Sequence, residues 1–161
     1  MKFLKTHYGR AINVIKSDTV NIPNPAGLGM TGTADASGTD KLRDTTNPFT
    51  TNLLGAIVVN TTDNTIANII GFVDSGQLLL DADIFTAGTE GYAIYNSDNN
   101  QGCAIYIPKE EAGNLKVLTV GGDIITFNKC GDANASSILP VNVLRVFSTG
   151  TETSVTLVAL W

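Results

Sequence analysis

The sequence predicts an all-β fold, an antiparallel β-sandwich or barrel that follows an extended N-terminal arm. From Thr51 onward, short runs of β-branched and other apolar residues alternate with turn-forming Gly, Asn and Asp about every ten residues. No longer segment keeps the 3.6-residue periodicity of a helix. The chain has 161 residues, 43% of them apolar, which suits one domain or two very small ones.

The first 49 residues predict one short strand and then an irregular segment. Apolar residues at positions 12 and 14 indicate a strand within residues 11–16. Prolines and glycines then dominate, and they remove amide donors and enlarge the unfolded ensemble. This stretch of about 28 residues is long for a loop within a compact domain. It is either a disordered linker or an arm that orders against a neighbouring subunit, and its apolar residues favour the arm.

Residues 50–161 are expected to form the β domain, with 50–97 and 98–161 as a further division into two small subdomains. The first half predicts four strands, at residues 53–60, 65–73, 77–80 and 92–95. Residues 61–64 and 74–76 have the composition of turns. Residues 81–85 read as a single helical turn that Asp81 can cap.

The second half predicts strands at residues 103–107, 115–120, 123–127, 141–147 and 155–161. Leu115 and Val117 alternate with polar residues and should share one face. Gly121-Gly122 predicts a two-residue hairpin turn. Residues 109–112 could form one helical turn.

Composition and charge argue against several classes of function. Charged residues make up only 16% of the chain and the net charge is −5. The ten basic residues are scattered, whereas a nucleic-acid groove needs them clustered, so no nucleic-acid partner is expected. No apolar run reaches the roughly 18 residues of a membrane helix, and the N-terminus does not resemble a signal peptide. We expect assembly in a cytoplasm without a membrane partner.

No residue pattern predicts catalysis, a cofactor or a metal site. A single histidine, His7, excludes a Cys/His zinc site and argues against a catalytic triad. Asp81 and Asp83, with Asp74 or Asp63, could ligate calcium or act as a glycosidase pair, but they lack EF-hand spacing, and capping explains them more simply. The cysteines, Cys103 and Cys130, are either two buried thiols or a disulfide if their strands pair.

Three stretches carry a resemblance to a known class of protein. Residues 40–64 include Gly55-Ala56-Ile57-Val58-Val59-Asn60-Thr61-Thr62-Asp63-Asn64, and residues 73–85 include Val73-Asp74-Ser75-Gly76 and Asp83-Ile84-Phe85. Residues 113–161 include Gly121-Gly122-Asp123-Ile124-Ile125-Thr126-Phe127 and the terminal Val158-Ala159-Leu160-Trp161. Together they resemble structural virion proteins of tailed bacteriophages, of the auxiliary capsid (decoration) or spike-base type found in crAss-like and marine phages. The pattern contains no catalytic residues.

The resemblance implies a virion protein, not an enzyme, that binds and stabilises the capsid shell. Its expected partners are the major capsid protein or other virion proteins. The chain is also expected to form a homo-oligomer, with a trimer favoured. The alternative is the base of a spike or head fibre, or a carbohydrate- or host-binding module, although Tyr92 and Tyr95 should face opposite ways and Tyr106 is the only other clustered tyrosine. The candidate interface residues are Ile22, Leu28, Met30, Leu42, Phe49 and Trp161.

Overall fold

The computed structural model describes residues 8–98, 100–109, 113–130, 134–152, 154 and 157–161. Within them the chain is almost entirely β, with antiparallel pairing throughout, which confirms the predicted fold class. Two three-residue 3₁₀ turns, Pro25–Gly27 and Thr51–Leu53, are the only helical elements described. The strands are β1 Ala11–Asn13, β2 Leu28–Thr33, β3 Lys41–Arg43, β4 Ile57–Asn60, β5 Thr65–Asp74, β6 Gln77–Leu80, β7 Gly91–Tyr95, β8 Ala104–Ile107, β9 Gly113–Thr119, β10 Ile124–Cys130, β11 Ser137–Ile138, β12 Val143–Val146 and β13 Val158–Leu160.

Internal contacts divide the chain into two compact units. The central unit is residues 19–100, and the terminal unit joins residues 1–18 to residues 101–161. This division differs from the expected boundary after residue 49, because the segment before that residue contributes to both units. The proposed subdivision at residue 97 lies close to the end of the central unit.

The central unit is built on one antiparallel sheet with the strand order β2-β7-β4-β5-β6-β3. All four residues of β4 are buried, as expected for a central strand. The core cluster combines residues of every strand in this sheet except β2 with residues of the connecting loops, and Met30 of β2 packs against it. Its buried members are Ala34, Leu42, Phe49, Ala56, Val58, Ala67, Ile69, Leu78, Leu80, Ile84, Phe85, Tyr92 and Ile94.

The expected extended arm is folded into the central unit. Strand β2 pairs with β7, and β3 pairs with β6, so the segment supplies both edges of the six-stranded sheet. Leu42 and Phe49 lie in the core cluster. The prediction was based on the low strand propensity of this segment alone. In the structure, the open edges of β6 and β7 supply hydrogen-bond partners for its main chain.

The terminal unit contains two smaller antiparallel sheets, β1-β13-β8-β11 and β10-β9-β12. An isolated bridge between Cys103 and Val143 connects the start of β8 to β12. In β9 the residues Leu115, Val117 and Thr119 are buried and the residues between them are half-buried, which confirms the alternation read from the sequence. In the described part of the chain, no helix is long and apolar enough to cross a membrane.

The hairpin turn expected at the two residues Gly121-Gly122 spans residues 120–122, because the Thr119 amide donates to the Asp123 carbonyl. Two local predictions in the central unit were also wrong. Residues 81–85 form no helical turn, because the Asp81 carboxylate accepts bonds from the main chain and side chain of Asn68 (2.7 and 2.6 Å) instead of capping a helix. The strand expected from residue 53 begins at Ile57, since Thr51–Leu53 form a 3₁₀ turn and Gly55 follows with a φ of 81°. The helical turn expected at residues 109–112 lies mostly outside the described residues.

Candidate functional site

Strand β10 forms an exposed edge of the terminal unit. It pairs with β9 on one side and with no described strand on the other. Ile124 is 59% exposed and Ile125 is 40% exposed. Large apolar side chains on an open sheet edge are unusual, because natural proteins protect such edges with charges, prolines or bulges. We call residues 124–128 the β10 edge.

The hairpin bonds determine which main-chain groups of β10 face away from β9. The Thr119 amide donates to the Asp123 carbonyl at 2.9 Å, so the main chain of Asp123 points toward β9. Inward and outward main-chain groups alternate along an antiparallel strand. The amide and carbonyl groups of Ile124, Thr126 and Asn128 therefore point outward, and those of Ile125 and Phe127 point toward β9.

The regular pairing ends just after Phe127. The register between β9 and β10 shifts between Phe127 and Cys130, and Lys129 has a φ of 53°. One extra residue in a strand bends it and ends the ladder locally. The β10 edge is therefore limited to about five residues, with Asp123 before it and Lys129 after it.

A broad apolar cleft lies in the terminal unit beside this strand. It has a volume of about 640 Å³ and is open to solvent. Tyr8, Val120, Ile125 and Ile138 line it, and each of them is between 39% and 47% exposed. Asp123 is the only charged residue among the described residues that line it. An apolar, nearly uncharged, open surface is suited to protein packing more than to holding a polar reactant.

The most buried carboxylate of the central unit supports a turn. Asp44 is fully buried and accepts five hydrogen bonds, from the amide and hydroxyl of Thr46, the amide and side chain of Asn47, and the hydroxyl of Tyr92. Burial opposes its ionisation, but these bonds outweigh burial and lower the pKa of Asp44 to about 2. The residue is a fixed anion that holds the turn after β3.

A second buried network joins the β4–β5 turn to the segment before β7. Asn60 is fully buried and donates to the carbonyl of Ile84 (2.7 Å) and to Oε1 of Glu90 (3.0 Å). Glu90 also accepts from the amide of Ala87 at 2.8 Å. A side-chain hydrogen bond that protonated Asp63 donates to Glu90, together with partial desolvation and the charge of Glu90, raises the pKa of Asp63. This is a pair of carboxyl groups that supports two loops.

The other acidic residues considered for metal binding also serve local structure. Asp74 accepts from the amide of Gly76 at 2.8 Å, and Asp81 binds Asn68. Asp83 is exposed. Among the described residues, no group of three or more His, Cys, Asp or Glu side chains could hold a metal ion. His7 lies outside the described residues.

The two cysteines are free thiols. Cys103 is buried, its Sγ lies 3.4 Å from the carbonyl of Val143, and burial raises its pKa to about 12. Cys130 is half-buried near the end of β10, and burial raises its pKa as well. Their strand neighbours differ, since Cys103 bridges to Val143 and Cys130 pairs with Gly113. The disulfide alternative is not present.

The predicted interface residues separate into two groups. Ile22, Leu42 and Phe49 are at most 2% exposed, so folding has already buried them and they are not available to a partner. Leu28 is 49% exposed, and Met30 and Trp161 are half-buried. The sequence reasoning missed the β10 edge. A signal was present, because Ile124 and Ile125 follow a hairpin turn directly and do not alternate with polar residues, so the pattern does not assign one of them to a buried face.

Tyr92 and Tyr95 form no exposed platform within the central unit. Tyr92 is 2% exposed, donates to Asp44 and packs edge-on against Phe85 with ring centroids 6.5 Å apart. Tyr95 is half-buried in the same strand. Tyr106 belongs to the terminal unit.

Comparison of the chain with family models, with curated proteins and with solved structures gives no match in any of the three.

Proposed function

We propose that this protein is a non-enzymatic structural component of a tailed-phage particle, an auxiliary capsid protein that binds the shell through its terminal unit. The observation that carries the proposal is the open apolar cleft beside the β10 edge. Four partly exposed apolar side chains, Tyr8, Val120, Ile125 and Ile138, meet at this cleft, and apolar and aromatic side chains with few charges among them are typical of the centre of protein interfaces. The low share of charged residues, 16%, also favours a surface that packs against other protein subunits.

The use of the acidic residues also supports assembly over catalysis. Asp18, Asp35, Asp44, Asp74, Asp81 and Glu90 all accept hydrogen bonds from main-chain amides. Catalytic acid–base pairs instead present carboxyl groups to a shared cavity where a substrate can reach them. Among the described residues that line the cleft, Asp123 is the only one with a carboxyl group.

The resemblance to virion proteins specifies which assembly the surface serves. Its longest stretch, residues 113–161, includes β9, β10, β12 and β13 of the terminal unit. The partner is the major capsid protein or another shell protein, and the chain reaches it as a homo-oligomer. Many weak, identical contacts then act together, because each bound copy raises the effective concentration of the next contact on the lattice.

A carbohydrate-binding role is less well supported by the geometry. Binding of a sugar ring needs an exposed aromatic face, and Tyr92, one of the three candidates, is buried and bonded to Asp44. A place at the base of a spike or fibre would use the same packing surface, and it is distinguished from a shell position by the location of the chain on the particle.

The test uses particles of the phage that encodes the chain. Quantitative mass spectrometry of gradient-purified particles should find this protein in a fixed integral ratio to the major capsid protein, and labelled antibody should decorate the head. A label only at the tail tip would assign the spike-base role. Absence of the chain from purified particles would overturn the proposal.

A pair of variants tests the surface. Ile138→Asp places a charge in the cleft, and it should weaken binding of the purified protein to particles lacking it by at least roughly tenfold. Ile70→Asp is the matched control, since Ile70 is 62% exposed in the central unit. Equal binding by both variants would assign shell contact to a surface other than the cleft.

A further inference from the structure

Beyond the proposed function, and independently of it, we infer that the β10 edge pairs with the β10 edge of a second copy of this chain. The two strands run antiparallel about a two-fold axis at Thr126. The three-stranded sheet β10-β9-β12 of each copy thereby becomes half of a continuous six-stranded sheet. The occupant of the edge is the same strand in another molecule.

The outward main-chain groups fit this pairing. With the axis at Thr126, Ile124 lies opposite Asn128 of the second copy, and Thr126 lies opposite its own equivalent. These are the three residues whose amides and carbonyls point away from β9. In an antiparallel pair, opposed outward residues exchange both of their hydrogen bonds. The pairing therefore forms about six main-chain bonds and leaves the β9–β10 hairpin unchanged.

The side chains of β10 are self-complementary in the same register. Ile125 lies opposite Phe127 of the second copy at a non-hydrogen-bonded position, where side chains approach most closely. Two such apolar contacts flank the axis. Ile125 is 40% exposed in the single chain, and Phe127 is half-buried, so both have surface left to bury.

The charges at the two ends of the edge are also complementary. Asp123 precedes the edge and Lys129 follows it, each three residues from Thr126, so antiparallel pairing brings opposite charges together at both ends. Parallel pairing would align like charges. No charged residue lies between them to protect the open edge, which is how isolated edge strands commonly avoid association.

Strand β2 provides a comparison within the same molecule. It is also an edge strand, but it contains Gly29 and Gly32, and its register shifts between Leu28 and Met30. Glycines contribute no side-chain contact, and a bulge interrupts the row of donors. The residues on either side of β2, Gly27 and Ala34, are uncharged, so β2 lacks the opposite charges that flank β10. The comparison favours β10 as the self-pairing edge.

A two-fold contact requires that the assembly contain an even number of copies of the chain. Used alone, it gives a dimer, and combined with a three-fold contact elsewhere on the chain it gives a hexamer. Native mass spectrometry and light scattering of the full chain should therefore show an even number of copies. A trimer, or a monomer at every concentration up to the solubility limit, would overturn the inference.

Thr126→Pro is the decisive variant. Proline removes the central outward donor and places its ring against the incoming strand, while the bonds to β9 come from neighbouring residues. The variant should have half the mass of the wild type. Thr31→Pro is the matched control, because the Ala34 amide donates to the Glu90 carbonyl, which places the main chain of Thr31 on the outward side of β2. This control should keep the wild-type mass.

Charge reversal tests the register without proline. Asp123→Lys creates two like-charge contacts per dimer and should weaken association roughly tenfold at low salt. The double variant Asp123→Lys/Lys129→Asp should recover the wild-type dissociation constant. Failure of the double variant to recover, with circular dichroism unchanged, would show that these two ends do not meet. Shell binding by a monomeric Thr126→Pro variant would leave the proposed function intact, so the two proposals can fail separately.

Discussion

The hydroxyl of Tyr92 donates to Oδ2 of Asp44 at 2.7 Å and ties strand β7 to the turn that follows β3. Both residues are buried in the central unit. Desolvation and the bond to Asp44 raise the pKa of Tyr92 well above its ordinary value, so the phenol remains a donor. The segment once expected to be a free arm is thus fixed by a charge-assisted bond that water cannot replace.

Asp44→Asn should destabilise the central unit by about 3 kcal/mol, because an amide cannot accept all the bonds that the buried carboxylate accepts. Hydrogen exchange of peptides from β7 measures the effect within that unit. Asp35→Asn is the matched control. Asp35 also accepts from the amide and hydroxyl of a turn threonine, Thr45 (2.6 and 2.5 Å), but it is exposed, so water can replace these bonds and its loss should destabilise the unit much less. Equal losses in the two variants would contradict this account.

Lowering the pH should remove the stabilisation that the Asp44 carboxylate gives to the central unit. Since the pKa of Asp44 is about 2 in the fold and 3.8 ordinarily, its contribution is complete above about pH 5 and is lost as the pH falls through 4 toward 2. The lowered pKa corresponds to about 2 kcal/mol. After correction for the intrinsic exchange rate at each pH, the protection of β7 amides should therefore fall with acid in the wild type and change less in Asp44→Asn. Parallel acid profiles would assign the pH dependence to other groups.

How far the sequence predicts this fold depends on where each strand finds its partner. Strands β5, β6 and β9 lie within a residue or two of their predicted bounds, because hairpin turns pair them with neighbours in the chain. Strand β7 also lies close to its predicted bounds, although its partners β2 and β4 are distant in sequence. Strands β2 and β3 were missed. Each pairs with a strand that is far away in sequence, and composition near Gly29 or Asp40 contains no signal of that partner.

Asp63→Asn should stabilise the central unit at neutral pH. The carboxyl of Glu90 raises the pKa of Asp63, so the stability that the protonated form provides is present at low pH and is lost as the pH rises through the raised pKa. An amide at this position keeps a donor toward Glu90 and carries no charge. Thermal unfolding should give a higher midpoint than the wild type at pH 7 and a similar one at pH 3.

Asp98→Asn is the control for Asp63→Asn, since it removes one negative charge from an exposed loop of the same unit. It should leave the midpoint at pH 7 almost unchanged. A rise of the same size in both variants would attribute the effect to the net charge of −5 and not to the pair.

The candidate site was less predictable than the fold. Ile22, Leu42 and Phe49 were chosen for an interface because their segment was thought to be unable to fold alone, and the structure buries them. Ile124 and Ile125 were assigned to the second strand of a hairpin, and the sequence did not show whether another strand pairs with the far edge of that strand. Sequence periodicity shows which face of a strand is apolar, but it does not show whether the strand lies at an edge.

Gly102→Ala should destabilise the terminal unit by roughly 3 kcal/mol. Gly102 has a φ of 72°, and an added Cβ would lie 2.5 Å from Cγ2 of Val120 and 2.9 Å from the carbonyl oxygen of Val143. Gly122→Ala is the matched control, because Gly122 has a φ of 90° with no atom within 4 Å of the added carbon. It should cost only the backbone strain, about 1 kcal/mol. Urea unfolding followed by the fluorescence of Trp161 measures both.

Deleting Leu160 and Trp161 should prevent the terminal unit from folding stably. The Trp161 amide donates to the Arg10 carbonyl at 3.0 Å, and its carbonyl accepts from the amide of Gly9 at 2.6 Å, so the last residue pairs with the segment before β1. Leu160 pairs with Ala11 and with Ala104, which makes it part of two ladders. Loss of soluble expression, or a fall in the thermal midpoint of this unit, is the expected result.

Trp161→Phe separates the main-chain role of the terminal residue from its side-chain role. The indole Nε1 is buried and has no acceptor among the described residues, so phenylalanine removes a polar group that gains nothing from burial. This variant keeps every main-chain bond of position 161 and should unfold within about 1 kcal/mol of the wild type. If it unfolds as readily as the truncated chain, the stability of this sheet depends on the indole ring and not on the terminal ladder.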